Sequence, residues 1–517
     1  MIGPGPVDYT VNDTADSGSR EAKDDATLPA CSLYRRRSAH VWVSSTYFAE
    51  GFPYSVVNNL AEIMFKELGA SLQVIGLTAL LHLPWNLKFL WGPLVDHYET
   101  KRRWLIATEV LLSTGLVGLA WFAGGAAGWQ MSQTLGAVAA AFAVLAVLSA
   151  THDIAIDGFY LEGLDEQRQS KFVGYRAMAY KVASLLVRGP LIMVVGWVGW
   201  TWGLLGAALV MVLLTVLHAV VLPRVEVRRR GLGELVGGLL RWPVLVVGAL
   251  VAVGITVIGQ ASGDGSVAGA LVRAWEYVRS GPIPLTGWMT LLLLVMLAAA
   301  WLFARGLRGR TEKVTNFYAS AFVDFLARPN VGLILAFVVL FRTGESFLQK
   351  MKWPFLRDAM GMQLDTYGFA NGTLGVLASF AGTLVGGWLI ARQGLGRWIW
   401  PFVLAQNVLN LLYALIAYLS ASVTIGTLEL TLLITAEHFG EGLGTAVFMV
   451  YLMRCCDPAH KAAHMAILTA LMSVSFTVAG VASGFLAAWM GFAAYFAFTF
   501  VASIPGMLLI PWIPNKR

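Results

Sequence analysis

The sequence predicts an all-α integral membrane protein with fourteen transmembrane helices, grouped as six, two and six. Three observations carry that expectation: an apolar composition, a series of stretches long enough to cross a bilayer, and basic loops that alternate in sign of side. Of the 517 residues, 57% are apolar and 13% charged, with a mean hydropathy of +0.67. A soluble domain carries about 25% charged residues, so lipid must be the solvent for much of this surface.

A helix that spans the membrane needs about 20 mostly apolar residues. By that measure six spans lie near 41–65, 72–96, 104–124, 133–161, 171–197 and 199–222. Two more lie near 242–260 and 286–304. Six follow near 330–350, 365–391, 398–420, 426–454, 461–488 and 491–513. The implied organisation is a disordered, cytoplasmic, acid-rich tail over 1–38 and a six-helix bundle over 39–222. A linker with two extra helices (223–328) then leads to a second six-helix bundle with a short tail (329–517). No basic-then-apolar leader opens the chain.

Charge placement gives an independent measure of the count. With the N-terminus inside, the inward loops carry Arg35–Arg37, Lys101–Arg103, Arg168, Lys171 and Arg228–Arg230. They continue with Arg305, Arg308, Arg310, Lys313, Arg392, Arg397, Arg454 and Lys461. Lys66, Arg273, Arg279, Lys350, Lys352 and Arg357 fall outside. This bias is the positive-inside pattern, and it expects both termini in the cytoplasm. The net charge of +7 is therefore a matter of topology, with no nucleic-acid partner implied. Three cysteines, Cys31, Cys455 and Cys456, form neither a disulfide framework nor a zinc site.

The two halves echo each other. Gly92-Pro-Leu-Val-Asp96 followed by Lys101-Arg102-Arg103-Trp104 matches Gly387-Trp-Leu-Ile-Ala391 followed by Arg392 and Arg397-Trp398. Weak internal repetition is expected of transporters built from duplicated bundles. A glycine, a short apolar step and a basic turn fit the tight loop between helices two and three of the major facilitator superfamily. Gly92, Asp96, Arg102 and Arg103 are accordingly the candidate conformational gate.

Charges within apolar spans are expensive and mark sites. They gather on the first helix of each three-helix unit: Glu50; then His152, Asp153 and Asp157; then Arg342 and Glu345; then Glu437, His438 and Glu441. Asp153 and Asp157 share one helical face, where two close carboxylates disfavour double ionisation. Asp153, Asp157, Glu50 and Glu437 are candidates for proton coupling. The bland alternative is that the aspartates pair with Lys181 or Arg188 on the next helix. Arg342, Glu345, Arg188, Lys181, Glu441, His152 and Trp85 are candidates for substrate contact. Internal neutralisation competes for the cations, Lys88 above all. Trp91 and Trp353 are further sugar-stacking candidates, whereas His82, His218 and His464 read as packing or interfacial residues. Gly440 and Gly444 have the small-xxx-small spacing of close helix contact. No phosphate-cradling glycine loop, metal-ligand cluster or nucleophile elbow is present, so the sequence predicts no enzyme, cofactor or metal.

Phe48-Ala-Glu-Gly-Phe-Pro53, Leu83-Pro-Trp-Asn-Leu-Lys-Phe-Leu-Trp-Gly-Pro-Leu-Val-Asp96 and Ala150-Thr-His-Asp-Ile-Ala-Ile-Asp157-Gly resemble segments of the AmpG-type muropeptide permeases and the related acetyl-CoA transporters. Glu437-His-Phe-Gly-Glu-Gly-Leu-Gly-Thr-Ala446 resembles the tenth-helix segment of the AmpG group. The resemblance implies proton-coupled import of N-acetylglucosaminyl-1,6-anhydro-N-acetylmuramyl peptides across an inner membrane for cell-wall recycling. It puts Asp153 and Asp157 on an acidic fourth-helix motif and Glu437 on a tenth-helix motif. The chain departs from the group with His152, where glutamine is usual, and at Gly158-Phe-Tyr160. The expected partners are a small anionic glycopeptide, protons and membrane lipid, with the protein a monomer. The alternatives are another solute of the same clan (an acyl-CoA, a siderophore or a drug) or a membrane sensor that no longer transports.

Overall fold

The computed structural model describes residues 30–88, 91–124, 131–224, 325, 330–420, 422–456 and 461–514. The elements these residues form are helices. In the first bundle α1 comprises Ala30–Ser55, a π-helical turn Val56–Leu60 and Ala61–Glu67. Next, α2 comprises Leu72–Leu77, a 3-10 stretch Thr78–His82, Leu83–Leu87 and Gly92–His97. Then come α3 (Lys101–Ala123), α4 (Met131–Gly163), α5 (Glu166–Leu186, a π turn Val187–Leu191, Ile192–Val198) and α6 (Trp200–Val221).

The second bundle begins with α7 (Val331–Phe341 and Thr343–Asp358) and α8 (Leu364–Tyr367, a π turn Gly368–Leu374, Gly375–Gln393). It ends with α9 (Leu395–Leu419), α10 (Thr427–Arg454), α11 (Lys461–Met490) and α12 (Phe492–Leu509). The two extra helices expected at 242–260 and 286–304, and most of the expected tail, lie outside the described residues.

Nine segments among the described residues are long and apolar enough to cross a membrane. The full-length α1, α2 and α10 are not among them. Interruptions break α2, and α10 carries Glu429, Glu437, His438 and Glu441, which dilute its hydropathy. Large apolar side chains such as Trp121, Leu213, Val220 and Leu384 stand on the outer surface. That is the arrangement lipid demands of a helical bundle.

A repeated joint orders the helices. The second and third helices of each three-helix unit are linked through one residue in the left-handed region: Glu99 (φ 53°), Gly199 (85°), Gly394 (84°) and Gly491 (74°). Three of the four are glycine, which has no Cβ to clash there. Helix starts nearby are capped, with Thr100 accepting from Arg103 N at 3.2 Å and Asp165 from Arg168 N at 2.9 Å.

The two halves meet most tightly on the face that holds the α1–α2 and α7–α8 turns (68–71 and 359–363), here termed the loop face. Three ion pairs join α1 to α7 there: Lys66–Asp358 (2.5 Å), Arg357–Glu67 (3.0 Å) and Lys350–Glu62 (3.0 Å). Backbones touch at glycines. A Cβ on Gly372 of α8 would lie 1.7 Å from the Arg188 carbonyl of α5, and one on Gly484 of α11 would lie 2.0 Å from the Leu72 carbonyl of α2.

One expectation is corrected here. Lys350 and Lys352 are not outward loop residues, because α7 continues to Asp358 and buries both at 3% and 0% exposure. Each is retained inside the span by a carboxylate from another helix, Glu62 for Lys350 and Glu437 for Lys352. Paired charge is the form in which such burial is tolerated.

Candidate functional site

Between the halves lies a cavity of ≈ 260 Å³. Part of its wall is built where the helices depart from regular α geometry. Asn58 and Asn59 come from the π turn of α1, Arg188 from that of α5, Asn371 from that of α8, and His82 from the 3-10 stretch of α2. Pro53 precedes the first π turn and Pro190 lies in the second; proline removes an N–H from the ladder and favours such breaks. Further polar lining comes from Glu62 of α1, from Arg342, Glu345 and Lys350 of α7, from Glu441 of α10 and from Ser473 of α11.

Two charge clusters flank this space, one in each half. In the first half, Lys88 Nζ donates to Asp153 Oδ2 at 2.7 Å. Asp157 Oδ1 accepts from the Tyr47 hydroxyl at 2.8 Å and from Arg176 Nη2 at 3.0 Å. The Arg176 guanidinium also stacks over the Tyr47 ring at 4.3 Å. Carboxylate oxygens of Glu50, Asp153 and Asp157 all lie within 4.8 Å of one another. Glu50 Oε2 is buried with no hydrogen-bond partner among the described residues. Three carboxylates against two cations leave one negative charge over.

In the second half, Lys352 Nζ lies 2.6 Å from Glu437 Oε2, both fully buried. Gln349 Nε2 donates to Glu437 Oε1 at 2.9 Å and also to Glu345 Oε1. Arg342 Nη2 meets Glu441 Oε1 at 3.1 Å, and His438 Nδ1 lies 3.0 Å from Glu441 Oε2. The other ring nitrogen of His438 is 2.9 Å from Asn371 Oδ1. Here three carboxylates, Glu345, Glu437 and Glu441, face the cations Arg342 and Lys352, and the His438 ring bridges Glu441 to Asn371.

The expected site residues thus separate into groups. Arg342, Glu345, Arg188 and Glu441 line the cavity, and Trp85 stacks on His82 and meets Tyr54 edge-on beside it. Asp153, Asp157 and Glu50 gather in the first-half cluster, with Lys88 and Arg176 as the ion partners in place of Lys181 and Arg188. Glu437 sits behind the cavity wall. Lys181 points across the interface, its Nζ 4.5 Å from the Phe380 ring of α8. His152 stands apart. It is buried with Glu109 (3.3 Å), which also binds His218 Nδ1 (2.6 Å), inside the first bundle.

Of the gate candidates, Arg102 donates to the Leu222 and Ala219 carbonyls at 3.2 and 2.6 Å, tying α3 to the end of α6. Arg103 pairs with Glu99 at 2.6 Å, and Gly92 opens the last segment of α2. Asp96 is placed by its backbone in that same segment. Of the sugar-stacking candidates, Trp91 donates to Thr151 and Trp353 is fully buried against Tyr367. Gly440 and Gly444 press α10 against α9, as their spacing implies. Sequence reasoning missed Asn58, His82, Glu62, Lys350, Gln349 and Asn371. Most are neutral polar residues inside spans, for which the only signal is their presence in an otherwise apolar run.

Comparison with known proteins agrees with this architecture. A family model described as acetyl-coenzyme A transporter 1 matches residues 44–183. The anhydromuropeptide permease of Escherichia coli strain K12 is 23% identical over 469 residues, covering 90% of this chain and 77% of the relative. Among solved structures, a POT family transporter in complex with 5-aminolevulinic acid superposes with a TM-score of 0.61 at 13% identity. That match covers 93% of this chain and 96% of the other. The inward open conformation of the xylose transporter XylE from E. coli gives 0.53 at 10% identity, covering 92% and 96%. The resemblance read in the sequence is borne out, and the fold is that of the major facilitator transporters. The chain thus has the fold of these transporters, with nine segments among its described residues apolar and long enough to cross a membrane.

Proposed function

We propose that the protein is a proton-coupled importer of anhydromuropeptides, carrying them across an inner membrane into the cytoplasm for peptidoglycan recycling. The observation that carries the reading is the first-half cluster, where Glu50 remains without a partner beside two ion-paired aspartates. Its surplus negative charge, in a site at membrane depth, is neutralised at least cost by a proton. Asp157 and Arg176 are 41% and 33% exposed, so water reaches the cluster. A proton taken there loosens the hold of the cluster on Lys88 or Arg176, which is a workable switch for alternating access. The likeness to the E. coli permease over nine tenths of the chain supports the choice of solute.

In this reading both termini and the loops at 98–100 and 394 are cytoplasmic, and the loop face is periplasmic. The closed ion pairs and glycine contacts there make the described state inward-facing. The two further helices in 223–328 complete fourteen spans and, as a hairpin, preserve the orientation of the second half. Arg342, Glu345, Arg188 and Glu441 contact the solute; Gly92, Asp96, Arg102 and Arg103 belong to the cytoplasmic gate.

The test is uptake of labelled anhydromuropeptide by proteoliposomes, with and without an inward proton gradient. Accumulation that needs the gradient and is lost in Asp157→Asn is the expected result. Absence of uptake by folded protein removes this solute. The match of residues 44–183 to an acetyl-coenzyme A transporter favours a second reading, in which an acyl-CoA is carried instead. Competition by acetyl-CoA for muropeptide uptake, or its own accumulation, decides between them.

A further inference from the structure

A second, smaller cavity of ≈ 140 Å³ lies between α5 and α8. It is lined by Lys181, Ser184, Arg188, Val376, Ser379, Phe380 and Thr383, so α5 supplies two cations and one hydroxyl, and α8 supplies two hydroxyls and an aromatic ring. Its electrostatics differ from those of the central cavity. There Glu62, Glu345 and Glu441 offset Arg188, Arg342 and Lys350. No carboxylate lines the smaller space.

Neither of its cations makes a direct ion pair among the described residues, although Arg188 faces Glu62 and Glu441 across the central cavity. Among the described residues Lys181 has only the ring of Phe380 against its ammonium, and Arg188 has no ion pair or side-chain hydrogen bond. Glu62 and Glu441, which share the central cavity with Arg188, are already held by Lys350 and Arg342. Lys181 lies seven residues before Arg188, so the two project from one face of α5 about 10 Å apart. Both sit within the span Gly174–Val198, where an unpaired cation is costly unless it faces water or an anion. Arg188 lines both spaces, which places them side by side at the α5–α8 contact.

We propose that the α5–α8 cavity is an anion subsite that takes a carboxylate-rich portion of the transported solute, with Lys181 and Arg188 as its two anchors. The inference rests on the transport reading above and names which part of the solute binds where. The sugar and amide portions occupy the charge-balanced central cavity, and the stem carboxylates occupy the cationic one. A solute held this way touches α5 of one half and α8 of the other, so its binding is sensitive to how far the halves have parted. Lys181 is a specificity residue in this scheme.

The experiment compares uptake of a disaccharide tripeptide whose stem carboxylates are free with one in which all of them are amidated. The wild-type protein prefers the free acid by about tenfold in kcat/KM, the size of one charge-assisted hydrogen bond. Lys181→Gln raises KM for the free acid by that factor, leaves the amidated solute unchanged and so abolishes the preference. Lys181→Arg restores it. A preference that survives Lys181→Gln, or an equal loss for both solutes, overturns the subsite. If neither compound is transported, the muropeptide reading falls and a second measurement decides the subsite. Tricarballylate should raise the thermal midpoint of the wild-type protein in detergent, and its triamide should not. That shift should vanish in Lys181→Gln; identical shifts in the two proteins, or none in the wild type, overturn the inference.

Discussion

The charge clusters of the two halves use the same ingredients to opposite ends. Each brings carboxylates from the first helices of its three-helix units toward cations on neighbouring helices, and each contains three acidic side chains. In the second half each of Glu437 and Glu441 has its own cation, and Lys352 and Glu437 are sealed from water. In the first half one carboxylate is left over, and Asp157, Arg176 and Lys88 are a third or more exposed. A sealed ion pair is a fixed part of the scaffold, whereas a more exposed cluster with an unpaired carboxylate is accessible to protons. On the proposed reading, the first half titrates and the second half holds the scaffold.

The largest effect expected from breaking this contrast is at Lys352. Lys352→Met leaves Glu437 charged and buried, which costs about 3–5 kcal/mol. The variant should fail to yield monodisperse protein by size exclusion, and adding Glu437→Gln should recover it. Asp157→Asn, its counterpart in the first half, should abolish gradient-driven uptake while shifting stability by less than about 1 kcal/mol, as for an exposed pair. A thermal melt alongside the uptake assay distinguishes the two outcomes.

Glu50→Gln sharpens the comparison further. Uptake by the wild type should fall as external pH rises, because the cluster must take its proton from that side. The amide mimics the protonated form, so exchange of solute across the membrane should persist and become flat with pH. A pH profile of the variant that tracks the wild type would remove Glu50 from coupling. The smallest effect is expected at Lys66→Ala on the loop face. Loss of this pair should raise labelling of a cysteine placed at Asn58 from the periplasmic side by about twofold, the size of a surface ion pair.

Much of the architecture was legible because lipid imposes length and polarity rules on every span. Glu50, Asp153, Glu345 and Glu437 stood out as charges in apolar runs, and all four proved to sit in the clusters or on the cavity wall. Partner choice was less legible. Arg176 lies inside the expected fifth span and was not singled out, yet it holds Asp157. Lys350 and Lys352 looked like the end of a span because their carboxylates come from α1 and α10, far away in the chain. Asn58 escaped notice, and His82 read as a packing residue, for a different reason. A neutral side chain inside a span is inexpensive once it finds a hydrogen bond, and these two find each other at 2.8 Å. The π turns that aim Arg188 and Asn371 into the cavity have no simple sequence signature beyond a proline or glycine nearby.

The close approach at Gly372 makes that position a chemical doorstop. Its missing methyl group is what lets α8 rest against the Arg188 carbonyl. Alanine there would wedge the halves apart on the loop face and hold the transporter in its opposite conformation. One added carbon would thus supply a state-trapped protein for imaging the form open at the loop face, with every charged residue of the two clusters left in place.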